Sequence, residues 1–199
     1  MARRPTSAAS GVDERLLAEA TRLFAKQGFD RTSVQEIVEA AGVTKGAMYH
    51  YFGSKDDLLH EIYGRVLREQ TDRLEKFAAS EAPVAERLKD AAVDVVVTTI
   101  ENLDDVRIFY QSMQYLSPAK QRAVRAERRR YHERFRGMVE EGQRDGAFRL
   151  DVPADLVVDY FFGAVHHLGI WYRRTGQLSA NDIATHYAHL LVASLQKEN

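Results

Sequence analysis

Apolar residues recur at helical spacing from Leu16 to Leu195, and no run between them alternates apolar and polar residues as a half-buried strand would. That periodicity excludes a sheet-based core and predicts an all-α chain of about nine helices. Only 4 prolines interrupt it, three of them where helices begin or segments join. Cysteine is absent, which removes disulfides, thiolate metal sites and cysteine nucleophiles. Hydrophobic residues make up 45% of the 199 positions and charged residues 29%, enough apolar material for a real core. The longest apolar runs, Ala91 to Ile100 and Tyr160 to Trp171, fall short of the roughly 20 residues that cross a bilayer, so no membrane partner is expected. Met1 to Pro5 lacks the apolar stretch of a secretory signal, and a cytoplasmic protein is the expectation. The 28 Lys and Arg balance 29 Asp and Glu for a formal charge of -1. Any case for nucleic acid must therefore come from local arrangement.

Helix starts are legible as caps. Residues 1–11 form a polar, basic arm, and Ser10 to Asp13 resembles a capping box opening a first helix. Its inner face is Leu17, Ala20, Leu23 and Phe24, and it stops near Gly28. Ser33-Val-Gln-Glu36 is a second capping box, with Val34, Ile37, Val38 and Ala41 inward and Gly42 as the stop. Thr44 caps a third short helix with Met48 and Phe52 inward. Ser54 to Asp57 caps a fourth and longer one. The expected division is therefore a three-helix domain over 12–53 and a larger helical domain over 54–199. In the latter, helices begin at Pro83, Asp104, Pro118, Pro153 and Ser179. They are expected to end at or near Leu116 for the second, Gly142 or Gly146 for the third and Gly176 for the fourth. The last carries Ile183, Tyr187, Leu190, Leu191 and Ser194 as its stripe.

Two short helices joined by Ala41-Gly42-Val43-Thr44 have the sequence form of a helix-turn-helix, in which the second helix faces outward. With Met48 and Phe52 inward, Lys45, Gly46, Tyr49 and His50 point out, and their types suit phosphate and base-edge contacts. Small Gly46 and Ala47 permit close approach to a groove floor. Thr32 and Ser33 place hydroxyls and N–H groups at a helix start, where the macrodipole favours an anion such as a phosphate. Lys55 adds a further phosphate contact. Arg3 and Arg4 either enter an adjacent minor groove or only solubilise the arm. Spacing alone also fits a helical hairpin with a solvated surface.

The stretches Arg15 to Phe24, Gln27 to Phe29, Thr32 to Ile37, Ala41 to Phe52 and Ser54-Lys55 resemble the N-terminal domain of the TetR family of bacterial transcriptional repressors. The resemblance implies a third helix that reads the major groove of a palindromic operator, a two-fold homodimer, and an effector pocket in a helical C-terminal domain. Where members usually carry His before the final Phe, this sequence has Tyr51, whose phenol can still donate to a phosphate.

On the helix from Pro118, Val124, Arg128, Tyr131, Phe135 and Met138 share one face. Arg128 inside that stripe either meets an internal carboxylate or answers an anionic ligand. From Lys120 to Arg136 there are 8 basic residues and 2 acidic ones, a solvated face or a seat for phosphates. Leu156 to Tyr172 is apolar nearly all round, which a partner subunit would cover, with Gly163 and Gly169 permitting close approach. Asp159 and His166 share a face of that helix, as buried structural hydrogen-bonding groups or as ligand contacts. His186 and His189 are i, i+3 without an acidic third ligand beside them, so no metal site and no cofactor are expected.

Phe109-Tyr110 with Gln114, Tyr131 with Phe135, Gly142, Gly146 to Arg149 and Trp171 to Arg173 are similar to TetR-family regulators of fatty acid and sterol breakdown. Those respond to acyl-coenzyme A thioesters. That implies an effector seat at Phe109, Tyr110, Met113, Gln114, Arg128, Tyr131, Phe135, Met138, His166 and Trp171. Two other readings stand beside it. One is a repressor of an efflux system responding to hydrophobic drugs; the other is an enzyme acting on a thioester, for which no nucleophile–base pair, phosphate loop or metal set appears.

Overall fold

The computed structural model describes residues 11–197, so Arg3, Arg4 and Ser10 lie outside it. Among the described residues there is no strand, and nine α-helices follow one another: α1 (Val12–Gln27), α2 (Val34–Ala41), α3 (Lys45–Tyr51), α4 (Lys55–Ala79), α5 (Val84–Glu101), α6 (Leu103–Ser112), α7 (Pro118–Arg144), α8 (Ala154–Trp171) and α9 (Ala180–Ser194). A 3₁₀ turn at Met113–Tyr115 follows α6 and cuts short the helix expected to reach Leu116. None of these helices is long and apolar enough to cross a membrane.

The expected caps form at most helix starts. Ser33 and Glu36 make a complete capping box on α2, and Ser179 and Asp182 make one on α9. Thr44 Oγ1 accepts from the Ala47 N–H at 3.1 Å, and Ser54 Oγ accepts from the Asp57 N–H at 3.1 Å. Gly42 ends α2 in the left-handed region at φ 65°, which a side chain would strain. The first helix differs: Gly11 is its N-cap and supplies no side-chain hydrogen bond. The α8 helix also stops earlier than Gly176, because Tyr172 turns into an extended conformation with ψ 138°.

The chain divides into two compact units, one of residues up to Gly64 with Asp104–Gln121, the other of Arg65–Leu103 with residues from Arg122 onward. In the first, Leu16, Ala20, Phe24, Ile37, Val38 and Met48 from α1, α2 and α3 enclose a small core. The segment after α6 is tied to this unit. Tyr115 stacks on Phe29 at 5.6 Å between ring centroids, and Lys120 Nζ donates to Asp56 at 3.0 Å and lies 2.6 Å from Asp57.

In the second unit α5 lies mainly against α9 and also against α8. Ala91 and Ala92 of α5 and Ala184 and Ala188 of α9 are all buried, and small side chains permit that close approach. The buried face of α9 is Ile183, Ala184, Ala188 and Leu191, so Leu190 and Ser194, expected inside, face out; Leu190 is 64% exposed. Polar cross-ties are internal: Arg87 pairs with Glu141 and donates to the Ala82 carbonyl, and Arg73 pairs with Asp94 at 2.7 Å. A side chain at Gly142 would collide with the Phe148 ring, which explains the glycine there.

Candidate functional site

The α3 helix has one side in the core and one side in solvent. Met48 is completely buried and Phe52 nearly so, while Lys45, Gly46, Tyr49 and His50 are exposed as expected. Tyr49 and Tyr51 show 52% and 50% of their surface, and the His50 ring meets Tyr51 edge-on at 5.2 Å. Thr44 is exposed with its oxygen engaged as the cap, and Ala47 is half-buried. Nothing inside the protein requires glycine at position 46, since an added Cβ would meet only Thr44 Oγ1 at an ordinary 3.8 Å.

Two residues expected at this surface are used differently. Thr32 is 1% exposed, and its hydroxyl donates to the Gly28 carbonyl at 2.8 Å, so the hydroxyl is spent inside the unit. Lys55 is also turned inward. Its Nζ donates to the carbonyls of Phe29 at 2.8 Å and Thr32 at 2.7 Å, and sits 4.4 Å from the centre of the Phe29 ring. Burial lowers its pKa, opposed by the charges of Asp30 and Glu36. Lys55 thus holds the loop between α1 and α2. Ser33 is committed as well: its N–H and hydroxyl both donate to the Glu36 carboxylate at 2.8 Å. Those bonds, the backbone one first, hold the Glu36 carboxyl below its ordinary pKa.

The residues expected at the effector divide between the units. In the first unit Phe109 is completely enclosed and stacks on Tyr63 at 3.8 Å. Tyr110 is 37% exposed, Met113 is half-buried and Gln114 is in solvent. In the second, Tyr131, Phe135 and Met138 are buried, and Tyr131 and Phe135 both meet Phe162 edge-on. Phe109 and Phe135 have no surface in solvent and Met138 almost none. Trp171 lies at the exposed end of α8.

Arg128 and His166 come together. Arg128 Nη2 lies 3.3 Å from His166 Nε2; a guanidinium only donates, so Nε2 accepts and the ring proton sits on Nδ1. His132, which sequence reasoning passed over, stacks on Phe162 at 4.1 Å and stands 5.9 Å from His166. Burial first, and then the Arg128 charge, push His132 down to about 4 and His166 to about 3, so both rings are neutral at pH 7. Beside them a cleft of about 350 Å³ opens along α7 and α8. Its α7 wall carries Arg125, Arg128, Arg129, His132 and Arg136, and its α8 wall carries Asp155, Val158 and Asp159. Asp159 is exposed on that wall, not buried as one reading of the sequence had it. The charge run from Lys120 was the visible signal; that its Arg125–Arg136 part faces a cleft was not.

The outer face of α8 is apolar and exposed at Leu156, Tyr160 and Ile170, and Gly163 on it has open space around its missing Cβ.

Residues 16–62 match the family described as bacterial regulatory proteins, tetR family, and residues 81–195 match the tetracyclin repressor-like C-terminal domain. Among relatives, the HTH-type transcriptional repressor KstR2 of Rhodococcus jostii is 28% identical over 96% of this chain and 94% of its own. Among solved structures, the TetR family transcriptional regulator PfmR of Thermus thermophilus superposes with a TM-score of 0.83 and 30% identity, covering 92% of this chain and all of that one. AibR, solved with isovaleryl coenzyme A and operator DNA, shares the fold at a TM-score of 0.79 and 22% identity, covering 92% of this chain and 98% of its own.

Proposed function

The chain belongs to the TetR family of bacterial transcriptional regulators, and from that premise we propose that it is a homodimeric repressor released from a palindromic operator by an acyl-coenzyme A. The observation that carries the DNA half is the division of α3, with Met48 in the core and Lys45, Gly46, Tyr49 and His50 presented outward. In this reading Lys45, Tyr49, His50 and Tyr51 contact the DNA directly, with Thr44 and Ala47 at the close approach that Gly46 permits. The exposed apolar stripe of α8 is then the dimer face, because two copies bury it against each other and set two reading helices one DNA turn, roughly 34–36 Å, apart.

The effector half is supported by AibR, whose complex holds isovaleryl coenzyme A. Arg128 and His166 suit the polar end of such a thioester. Release requires that the ester bind the DNA-incompetent form more tightly, and a 100-fold preference is about 2.7 kcal/mol. Two measurements test the proposal. Sedimentation should show a dimer at micromolar concentration and folded monomers for Gly163→Arg; a monomeric wild type sinks the operator geometry. Titrating acyl-coenzyme A esters, free fatty acids and cationic dyes into a labelled operator complex should give release by the esters alone. Release by cationic dyes with no response to any ester refutes the effector and favours a drug-responsive repressor.

A further inference from the structure

We propose that the cleft along α7 and α8 binds the phosphate end of a small organic phosphate through Arg125, Arg128 and Arg129. The assignment deepens the effector reading above and rests on it only for the rest of the ligand. Three features of the cleft carry it. Its size, about 350 Å³, lies at the low end of the roughly 300–1,000 Å³ of ligand pockets, so it takes a head group and not a long molecule. Val158 is the one apolar residue of its lining beside five basic and three acidic ones if His132 is counted as basic, a lining suited to a charged head group. The basic groups sit at i, i+3 and i+4 on one helix, so their guanidinium forks converge on one space, and such forks match phosphate oxygens in pairs.

The carboxylates in the cleft must yield to an anion, and their pairing is of the kind that yields easily. Arg129 pairs with Glu133 at 2.8 Å with side chains 80% and 43% exposed. Exposed pairs of this type contribute little and exchange readily for a stronger anion. Asp155 is held by Arg136 at 2.8 Å, and Asp159 remains as the repulsive group. Behind this wall Arg128 rests on the neutral His166 ring, with His132 stacked next to it. A neutral imidazole accepts the Arg128 hydrogen bond without adding positive charge to the cleft, so the rings behind the wall do not act as further cations there. A phosphate in the cleft would partly cancel the Arg128 charge, which after burial is what lowers both rings, so binding should raise the histidine pKa values.

The test uses the full chain without DNA and four probes: coenzyme A, inorganic pyrophosphate, decanoyl-coenzyme A and decanoate. Calorimetry should show that coenzyme A and its ester bind. Proton spectra should show the His132 and His166 imidazole signals moving on addition of coenzyme A or pyrophosphate, with raised pKa values. Arg125→Gln with Arg129→Gln, both on the surface and expected to fold, should weaken coenzyme A and its ester tenfold or more and leave decanoate unchanged. Asp159→Asn should tighten all three phosphate-bearing probes. Equal coenzyme A affinity in the double arginine variant, or binding that moves neither histidine, overturns the cleft assignment. If the ester still releases operator from that double variant at wild-type concentrations, the cleft assignment falls and the effector reading stands. If pyrophosphate binds and shifts the histidines while no ester binds, the cleft stands and the acyl-coenzyme A effector falls. Binding by none of the four probes overturns both.

Discussion

The starts of α3 and α4 are written alike, a capping hydroxyl followed by lysine, Thr44-Lys45 and Ser54-Lys55, yet they serve different ends. Lys45 stands in solvent on the outer face of α3. Lys55 is folded back onto the carbonyls of Phe29 and Thr32. The cap tells where a helix begins; what the next side chain meets depends on what the fold brings opposite it. For α4 that is the loop between α1 and α2, and for α3 it is open space that a DNA groove can fill.

The largest effect that would sharpen this contrast is on stability. Lys55→Met leaves two buried-side carbonyls without their charged donor. Hydrogen bonds to charged groups are worth about 1.5–3 kcal/mol each, less where water can replace the donor as at this half-buried side chain, so unfolding in urea should show a loss of roughly 2–4 kcal/mol. The salt slope of operator binding by the folded fraction should stay as in the wild type. Wild-type stability together with a slope reduced by about 1 would put Lys55 on a phosphate after all and break the contrast. Lys45→Ala should do the reverse: stability within about 0.5 kcal/mol of wild type, and operator preference changed by roughly 1–3 kcal/mol at the base pair it reads.

A third test moves to the second unit. His132 and His166 have folded pKa values of about 4 and about 3, below the unfolded value of 6.5, so the unfolded chain takes up protons first as pH falls. Their contribution to stability is complete above pH 6.5 and is lost as pH falls toward 4 and 3. By pH 5 each should cost about 1–2 kcal/mol after allowance for partial solvent screening, seen as a steeper pH dependence in the wild type than in His132→Gln with His166→Gln. Parallel pH profiles would contradict the burial of these rings beside Arg128. The smallest effect is at the start of α2, where Ser33→Ala removes one half of a capping box and should cost about 1 kcal/mol in thermal or urea unfolding.

The all-helical fold was legible because caps and stops are local: Ser33 with Glu36, Gly42, Thr44, Pro118 and Ser179 each act within four residues of chain. The outward face of α3 was legible for the same reason, since Met48 and Phe52 alone fix its rotation. Lys55 was not, because its acceptors lie 26 and 23 residues earlier in the chain. Leu190 shares the helical period of the α9 core, but which flank of a broad apolar stripe is covered depends on where α5 packs. The burial of Phe135 and Met138 was legible from their spacing, but an apolar residue facing inward has the same spacing whether it lines a cavity or fills a core. The cleft needed both helices: α7 shows its arginines in sequence, while the opposing wall at Asp155 and Asp159 appears only once α8 is placed beside it.

The most direct test of the account is selection of binding sites from random duplex DNA by the wild type, by Lys45→Ala and by Tyr49→Ala. The account predicts that the wild type recovers a palindrome with half-sites about one helical turn apart, roughly 34–36 Å, and that each variant relaxes preference at a symmetric pair of positions and leaves the spacing intact. Recovery of no palindrome, or of the same sequence with equal preference by all three proteins, would contradict the assignment of α3 as the helix that reads DNA.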